Sequence, residues 1–223
     1  VFYQLLAARD EPEVASLKKF GIADAIHFQL LKQKDGTILG KRAKDCEAFL
    51  KLWNAMLVCE FAEYECLGLF RTLLGILHLG NVVFDEVHVD DGTMEGHFDV
   101  VIEDGRPLEM AARALGVSSE HLFHAITTMK VGQGVSEAVI TRSKNHAAAN
   151  RDNICKCIYE SVFNTILHQI NHIMRPSSKA IGSKVKKMSE KKGKKDSKGK
   201  RGALDAATSF MDSDDHVQPG SLL

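Results

Sequence analysis

The chain has no run that could cross a bilayer, no cysteine framework and no loop that could cradle a phosphate. Each absence removes a class of function. The most apolar stretch, Leu67 to Phe84, carries Arg71 and His78. A membrane span rarely tolerates such residues near its middle, so the stretch is read as a buried helix. No positively charged leader with an apolar core opens the sequence. It starts at Val1 on an amphipathic pattern, which is expected of a segment cut from a longer protein. The five cysteines are an odd number without framework spacing, as expected of reduced thiols in a cytosolic protein. Cys155 and Cys157 are two apart on a predicted helix, so they face different ways and serve packing rather than a metal.

Catalytic constellations are missing too. A phosphate-binding loop needs four residues between its first Gly and its Gly-Lys-Ser/Thr. Gly36 to Lys41 offers only three, and Arg42 stands where the hydroxyl should be; Gly199-Lys200 is followed by Arg201. His168 and His172 share a helix face at the spacing of zinc ligands, but Gln169 replaces the general-base Glu and no third ligand is near. They are read as partly exposed helix histidines. Asp85 to Gly92 fails as a calcium loop, because Val87 falls where the first carboxylate must be. No catalytic, cofactor-binding or metal residues are assigned.

What the chain does have is charge in blocks. Net charge is zero, yet Lys179 to Arg201 holds eleven Lys/Arg against Glu190 and Asp196, a net of +9. Val1 to Ser178 has 18 basic and 23 acidic residues, a net of −5, and Gly202 to Leu223 carries −4. With few large apolar residues, the basic run cannot offset its ordering entropy, so 176–223 is expected to be a disordered Lys-rich insertion or tail. It lacks the interleaved aromatics of a base-stacking surface, so no specific nucleic-acid partner is assigned.

Residues 1–175 read as mainly α with a small β excursion. Helices are expected over Phe2–Ala8, Glu13–Phe20 (ended by Gly21), Asp45–Cys59, Glu63–Leu79, Pro107–Leu115, from Ser118 to about Met129, and Ala147–Met174. The last carries Ile154, Ile158, Val162, Ile166, Ile170 and Ile173 as one stripe. Phe28 to Leu39 reads as two short strands around Lys34-Asp35-Gly36. Val82 to Ile102 alternates apolar and polar residues, as in two surface strands. Val131 to Lys144, with Gly132 and Gly134, reads as a loop.

Three blocks then stand out in order: FYQLLAA (Phe2–Ala8), RTLLGILHLGN (Arg71–Asn81) and, 70 residues after Asn81, RDNICKCIYESVFNTILHQIN (Arg151–Asn171). Together they resemble the myosin motor domain over roughly Val1 to Met174. Asp45 to Phe49 is similar to that family's DDAEEF, Asn54-Ala55-Met56 to its KAM, and Leu108–Gly116 to its helix ending in LLGV. The resemblance implies the upper 50-kDa subdomain of a P-loop NTPase-type motor head, between switch I and switch II. It implies an actin-based, ATP-driven cytoskeletal motor, cytoplasmic and in a myosin complex. The actin filament and the remainder of the motor head would be its partners, with light chains unspecified. Mg-ATP would be the cofactor of the parent motor, not of this chain, which lacks the P-loop and both switches. The isolated chain is therefore not expected to hydrolyse ATP. A free-standing actin-interaction module is the alternative reading; an adaptor acting through Lys179–Arg201 is a weaker third.

The loop before the long helix takes the place of the family's actin-contacting cardiomyopathy loop. By that resemblance Lys130, Ser136, Glu137, Arg142 and Lys144 are the actin-binding candidates. The family's acidic or phosphorylatable position lies sixteen residues before the Asp of RDALAK, which is Ser136 counting back from Asp152, so Ser136 is the candidate regulatory phosphosite. A one-residue slip would give that role to Glu137. The chain departs from the pattern after Pro176, where the basic run replaces the expected approach to switch II; an insertion is inferred there.

Overall fold

The computed structural model describes residues 1–89, 97–132 and 138–174. All lie in the unit Val1–Arg175; the basic run and the tail expectation fall outside the described residues. The described part is mainly helical with two small antiparallel sheets.

Helix α3 (Glu63–Leu79) is the centre. From Leu73 to Leu79 every residue is buried, as expected of a helix surrounded on all sides. Helix α2 (Arg42–Val58) meets it through an aromatic cluster. Phe49 lies 5.1 Å and Trp53 6.2 Å, centroid to centroid, from Phe70 of α3. Helix α4 (Arg106–Leu115) packs with Leu108, Ala111, Ala112 and Ala114 buried, small residues that allow close approach. Helix α5 (Ser119–Thr127) follows, its Ser118 Oγ accepting from the His121 amide at 3.0 Å in the usual N-cap manner. The long helix α6 (Lys144–Met174) runs about 46 Å. Ala147, Cys155 and Val162 are buried and the predicted isoleucine stripe is half-buried. Burial pushes the Cys155 thiol up to about 11, as befits a packing residue, whereas Cys157 is exposed.

The N-terminal segment differs from expectation. After helix α1 (Phe2–Ala7), Pro12–Phe20 is a 3-10 helix. Val14, Leu17 and Phe20 are its buried residues, and three residues per turn stack such positions in one line. The two strands expected over Phe28–Leu39 do not form. Phe28 and Leu31, again three apart, enter the core from short 3-10 turns at Ala25–His27 and Gln29–Leu31. Only the turn itself is realised: the Gln33 amide donates to the Thr37 carbonyl and the Gly36 amide to the Gln33 carbonyl, both at 2.9 Å.

Strands β1 (Phe84–Val89) and β2 (His97–Ile102) pair as expected, Phe84 opposite Ile102 and His88 opposite Phe98. The second sheet corrects the loop reading of Val131–Lys144. Strand β3 (Thr128–Val131) pairs with β4 (Ala138–Thr141), Thr128 opposite Thr141 and Lys130 opposite Val139. The strands are only four residues each, and AVIT carries no polar-apolar alternation to signal one.

His78 of α3 is buried, and its Nε2 lies 2.8 Å from the Phe20 carbonyl. A carbonyl only accepts, so Nε2 carries the proton. Gly21, at φ 71°, is where the chain turns away; a Cβ there would stand 3.1 Å from His78 Nε2. Burial holds the His78 pKa below its usual 6.5, against the opposing effect of the backbone bonds. The unfolded chain therefore binds the proton first, and stability falls as pH drops through about 6.5. Urea denaturation of wild type and His78→Gln between pH 7 and 5 checks this. The variant is expected to be less stable at pH 7 and to show a flatter loss on acidification; parallel curves would contradict the assignment.

Candidate functional site

The two most distinctive sequence blocks prove to be fasteners. Asn81, just past α3, accepts from the Gln29 amide at 2.8 Å and donates to the His27 carbonyl at 2.7 Å. With His78 it holds the whole 3-10 segment against α3. Gly80 has ordinary right-handed backbone, so its smallness matters for space: a Cβ would meet Leu30 at 2.4 Å. From the second block, Arg151 donates to the Val82 carbonyl, pairs with Asp152 at 2.7 Å and lies 6.0 Å from the Phe84 ring centroid. Asn150 donates to the Ala125 and Ile126 carbonyls, both at 3.0 Å, satisfying the C-terminal end of α5.

These bonds set the base from which the β3–β4 hairpin projects. The Arg142 amide donates to the Thr127 carbonyl at 2.6 Å, and Arg142 Nε donates to the Thr128 carbonyl at 3.0 Å. Lys144 opens α6: its amide donates to Glu86 Oε1 at 2.6 Å and its Nζ to Asp85 Oδ1 at 2.9 Å. The Lys144 bond holds the Asp85 carboxyl below its usual range, and the same bond raises Lys144. Of the five candidates, then, Arg142 and Lys144 sit at the root with their polar groups engaged by the body of the chain, the Lys144 ammonium on an exposed carboxylate. Lys130 is exposed on β3. Ser136 and Glu137 lie outside the described residues.

The candidates given by the family resemblance leave out the hairpin's apolar surface. Met129, Val131, Val139 and Ile140 are 37%, 43%, 57% and 45% exposed. By the register, Met129, Val131 and Ile140 share one face of the hairpin, the kind of exposed apolar grouping that marks a contact surface, while Val139 stands beside Lys130 on the other.

The phosphate-loop near miss lies beside the first turn of α2. Gly36–Lys41 leads into the start of α2, and the Lys41 amide is already taken by Asp45 Oδ2 at 2.6 Å. A carboxylate therefore stands where an anion would have to enter. His168 and His172 are both exposed. Among the described residues no group of three or more His, Cys, Asp or Glu could hold a metal, and no helix is long and apolar enough to cross a membrane.

The family model for the myosin head (motor domain) matches residues 1–185. The chain belongs to the myosin head family. It is 34% identical over 176 residues to the myosin IC heavy chain of Acanthamoeba castellanii, covering 78% of this chain and 13% of that protein. It is 29% identical over 189 residues to the unconventional myosin-Va of Gallus gallus, covering 85% of this chain and 9% of that one. Human unconventional myosin-XV is 31% identical over 179 residues, 79% of this chain and 5% of that protein. This myosin-head segment therefore spans less than a sixth of the length of these relatives.

Within the myosin-head segment the fastening role of Asn81 is directly measurable. Asn81→Ala removes two side-chain bonds to backbone, at about 1 kcal/mol each. Urea unfolding followed through Trp53 fluorescence is expected to show a loss of about 2 kcal/mol. A loss within experimental scatter would mean that the 3-10 segment is held by its apolar residues alone.

Proposed function

We propose that this segment is the upper 50-kDa part of an actin-based, ATP-driven motor, and that the β3–β4 hairpin with α6 faces the actin filament. The observation that carries the reading is the match to the myosin head across residues 1–185, joined to a hairpin whose exposed apolar residues project from a rigidly fastened helix. Met129, Val131 and Ile140 supply apolar contact from one face of the hairpin, and Lys130 with its cross-strand neighbour Val139 supplies charge and apolar contact from the other. Mg-ATP belongs to residues of the remainder of the motor head, so this chain contributes filament contact rather than chemistry. The setting is the cytoplasmic cytoskeleton, with the filament and the rest of the head as partners. The 176–223 stretch is a Lys-rich insertion.

Isothermal titration of the purified chain with Mg-ATP is expected to give no heat of binding at micromolar concentration, because no loop here wraps phosphates or presents a hydroxyl to Mg²⁺. Saturable binding would overturn this division of labour. Co-sedimentation of the chain with actin filaments tests the other half: Val139→Asp is expected to weaken it at least as much as Lys130→Ala, since burial of apolar surface dominates such contacts.

By the count back from Asp152 in the family pattern, Ser136 is the regulatory phosphosite of the motor. A phosphate there adds about −1.5 to −2 charges at pH 7 and three acceptor oxygens. In the full motor, Ser136→Glu is expected to strengthen actin-activated turnover relative to Ser136→Ala. Identical actin dependence in the two would refute the assignment, and a loss confined to Glu137→Ala would move it by one residue.

A further inference from the structure

We propose that Asp85 and Glu86 of β1 form an acidic clamp on Lys144 that sets the angle at which the β3–β4 hairpin leaves the body. Lys144 is then a positioning residue rather than a filament contact. Three observations converge on this. First, α6 begins at Lys144, and the carboxylate that accepts from its amide comes from Glu86, 58 residues earlier in the chain. Such an acceptor usually comes from a neighbouring side chain, and here the first turn of α6 contains no acidic residue. Second, the Lys144 ammonium is directed at Asp85 on the same strand, at 2.9 Å, and Glu103, just past β2, adds further negative charge around it.

Third, the clamp sits where motion of the hairpin would originate. Only Arg142 and Ser143 separate β4 from Lys144, and Arg142 is tied to Thr127 and Thr128 at the opposite strand's root. The β1 end of the clamp is itself anchored, since Arg151 of α6 bonds Val82 and lies over Phe84. Strand β1, the hairpin root and the first two turns of α6 therefore form one closed ring of bonds. Opening the Lys144 link leaves the β4 root held by the Arg142 bonds to Thr127 and Thr128. The ion pair is exposed, and exposed pairs are weakened by salt. The clamp is thus adjustable by charge, while the Arg151 anchor is not. The filament-facing consequence rests on the function proposed above; the clamp itself does not.

The test uses the full chain with Lys144→Glu, Lys144→Ala and the charge swap Asp85→Lys/Lys144→Glu. Amide hydrogen exchange over 128–131 and 138–141 is expected to quicken by roughly fivefold in Lys144→Glu, less in Lys144→Ala, and to return to near the wild-type rate in the swap. Unchanged exchange in Lys144→Glu, or a swap that fails to restore protection, overturns the clamp. Actin co-sedimentation is read separately. Binding lost in Lys144→Glu and regained in the swap supports a positioning role. Loss that persists in the swap while exchange recovers identifies Lys144 as a direct contact and overturns it. If the wild-type chain itself does not sediment, the filament reading fails and the exchange data still decide the clamp.

Discussion

The last turn of α3 and the three residues after it gather backbone groups from segments far apart in sequence. His78 takes the Phe20 carbonyl, Asn81 takes His27 and Gln29, and the Val82 carbonyl accepts from Arg151. Phe20, His27 and Gln29 lie at the ends of short 3-10 helices, whose end groups have no partner within the helix. An unbonded amide or carbonyl near the core costs as much as a lost hydrogen bond. The side chains of the HLGN block therefore decide whether the 3-10 segment, the start of β1 and the long helix can share one core. The apolar burial of Leu73 to Leu79 supplies the driving force; the bonds choose which arrangement it stabilises.

From that junction the structure reaches outward to its proposed working surface. Helix α6 is held near its start by Asn150 and Arg151 and further along by Cys155 and Val162 in the core. Its own beginning is capped from β1. The hairpin is separated from this helix only by Arg142 and Ser143, and the helix is bonded in turn to the Val82 carbonyl just past α3. A filament contact placed there would be felt at the centre of the domain rather than absorbed by a loose loop.

Much of this was legible from residue pattern. The helices α2, α3, α4 and α6 follow from apolar spacing, and β1–β2 from alternation. Other parts were hidden for identifiable reasons. Val14, Leu17 and Phe20 are compatible with both α and 3-10 spacing, so the tighter helix could not be told apart. Lys34-Asp35-Gly36 does make a turn, but Phe28 and Leu31 are spaced for a 3-10 face, which is incompatible with flanking strands. Strands β3 and β4 are four residues each and AVIT does not alternate, so only the glycines between them gave a local signal. The fastening roles of Asn81, Arg151 and Glu86 were beyond reach, because their partners lie 52 to 69 residues away and no local signal points to them. For the same reason Lys144 looked like an available surface charge. The apolar face of the hairpin has no counterpart among the candidates, which follow the family resemblance, because it depends on the β3–β4 register.

The central claim is that the end of α3 makes the N-terminal 3-10 segment part of the core's cooperative unit. Native-state hydrogen exchange of the full chain in increasing denaturant tests it directly, with the Gln29 amide as reporter because it is bonded to Asn81 Oδ1. The account predicts that Gln29 and the amides of Leu73 to Leu79 open with the same free energy and the same denaturant dependence. A Gln29 amide that exchanges through a separate, low-energy opening while α3 stays protected would contradict it.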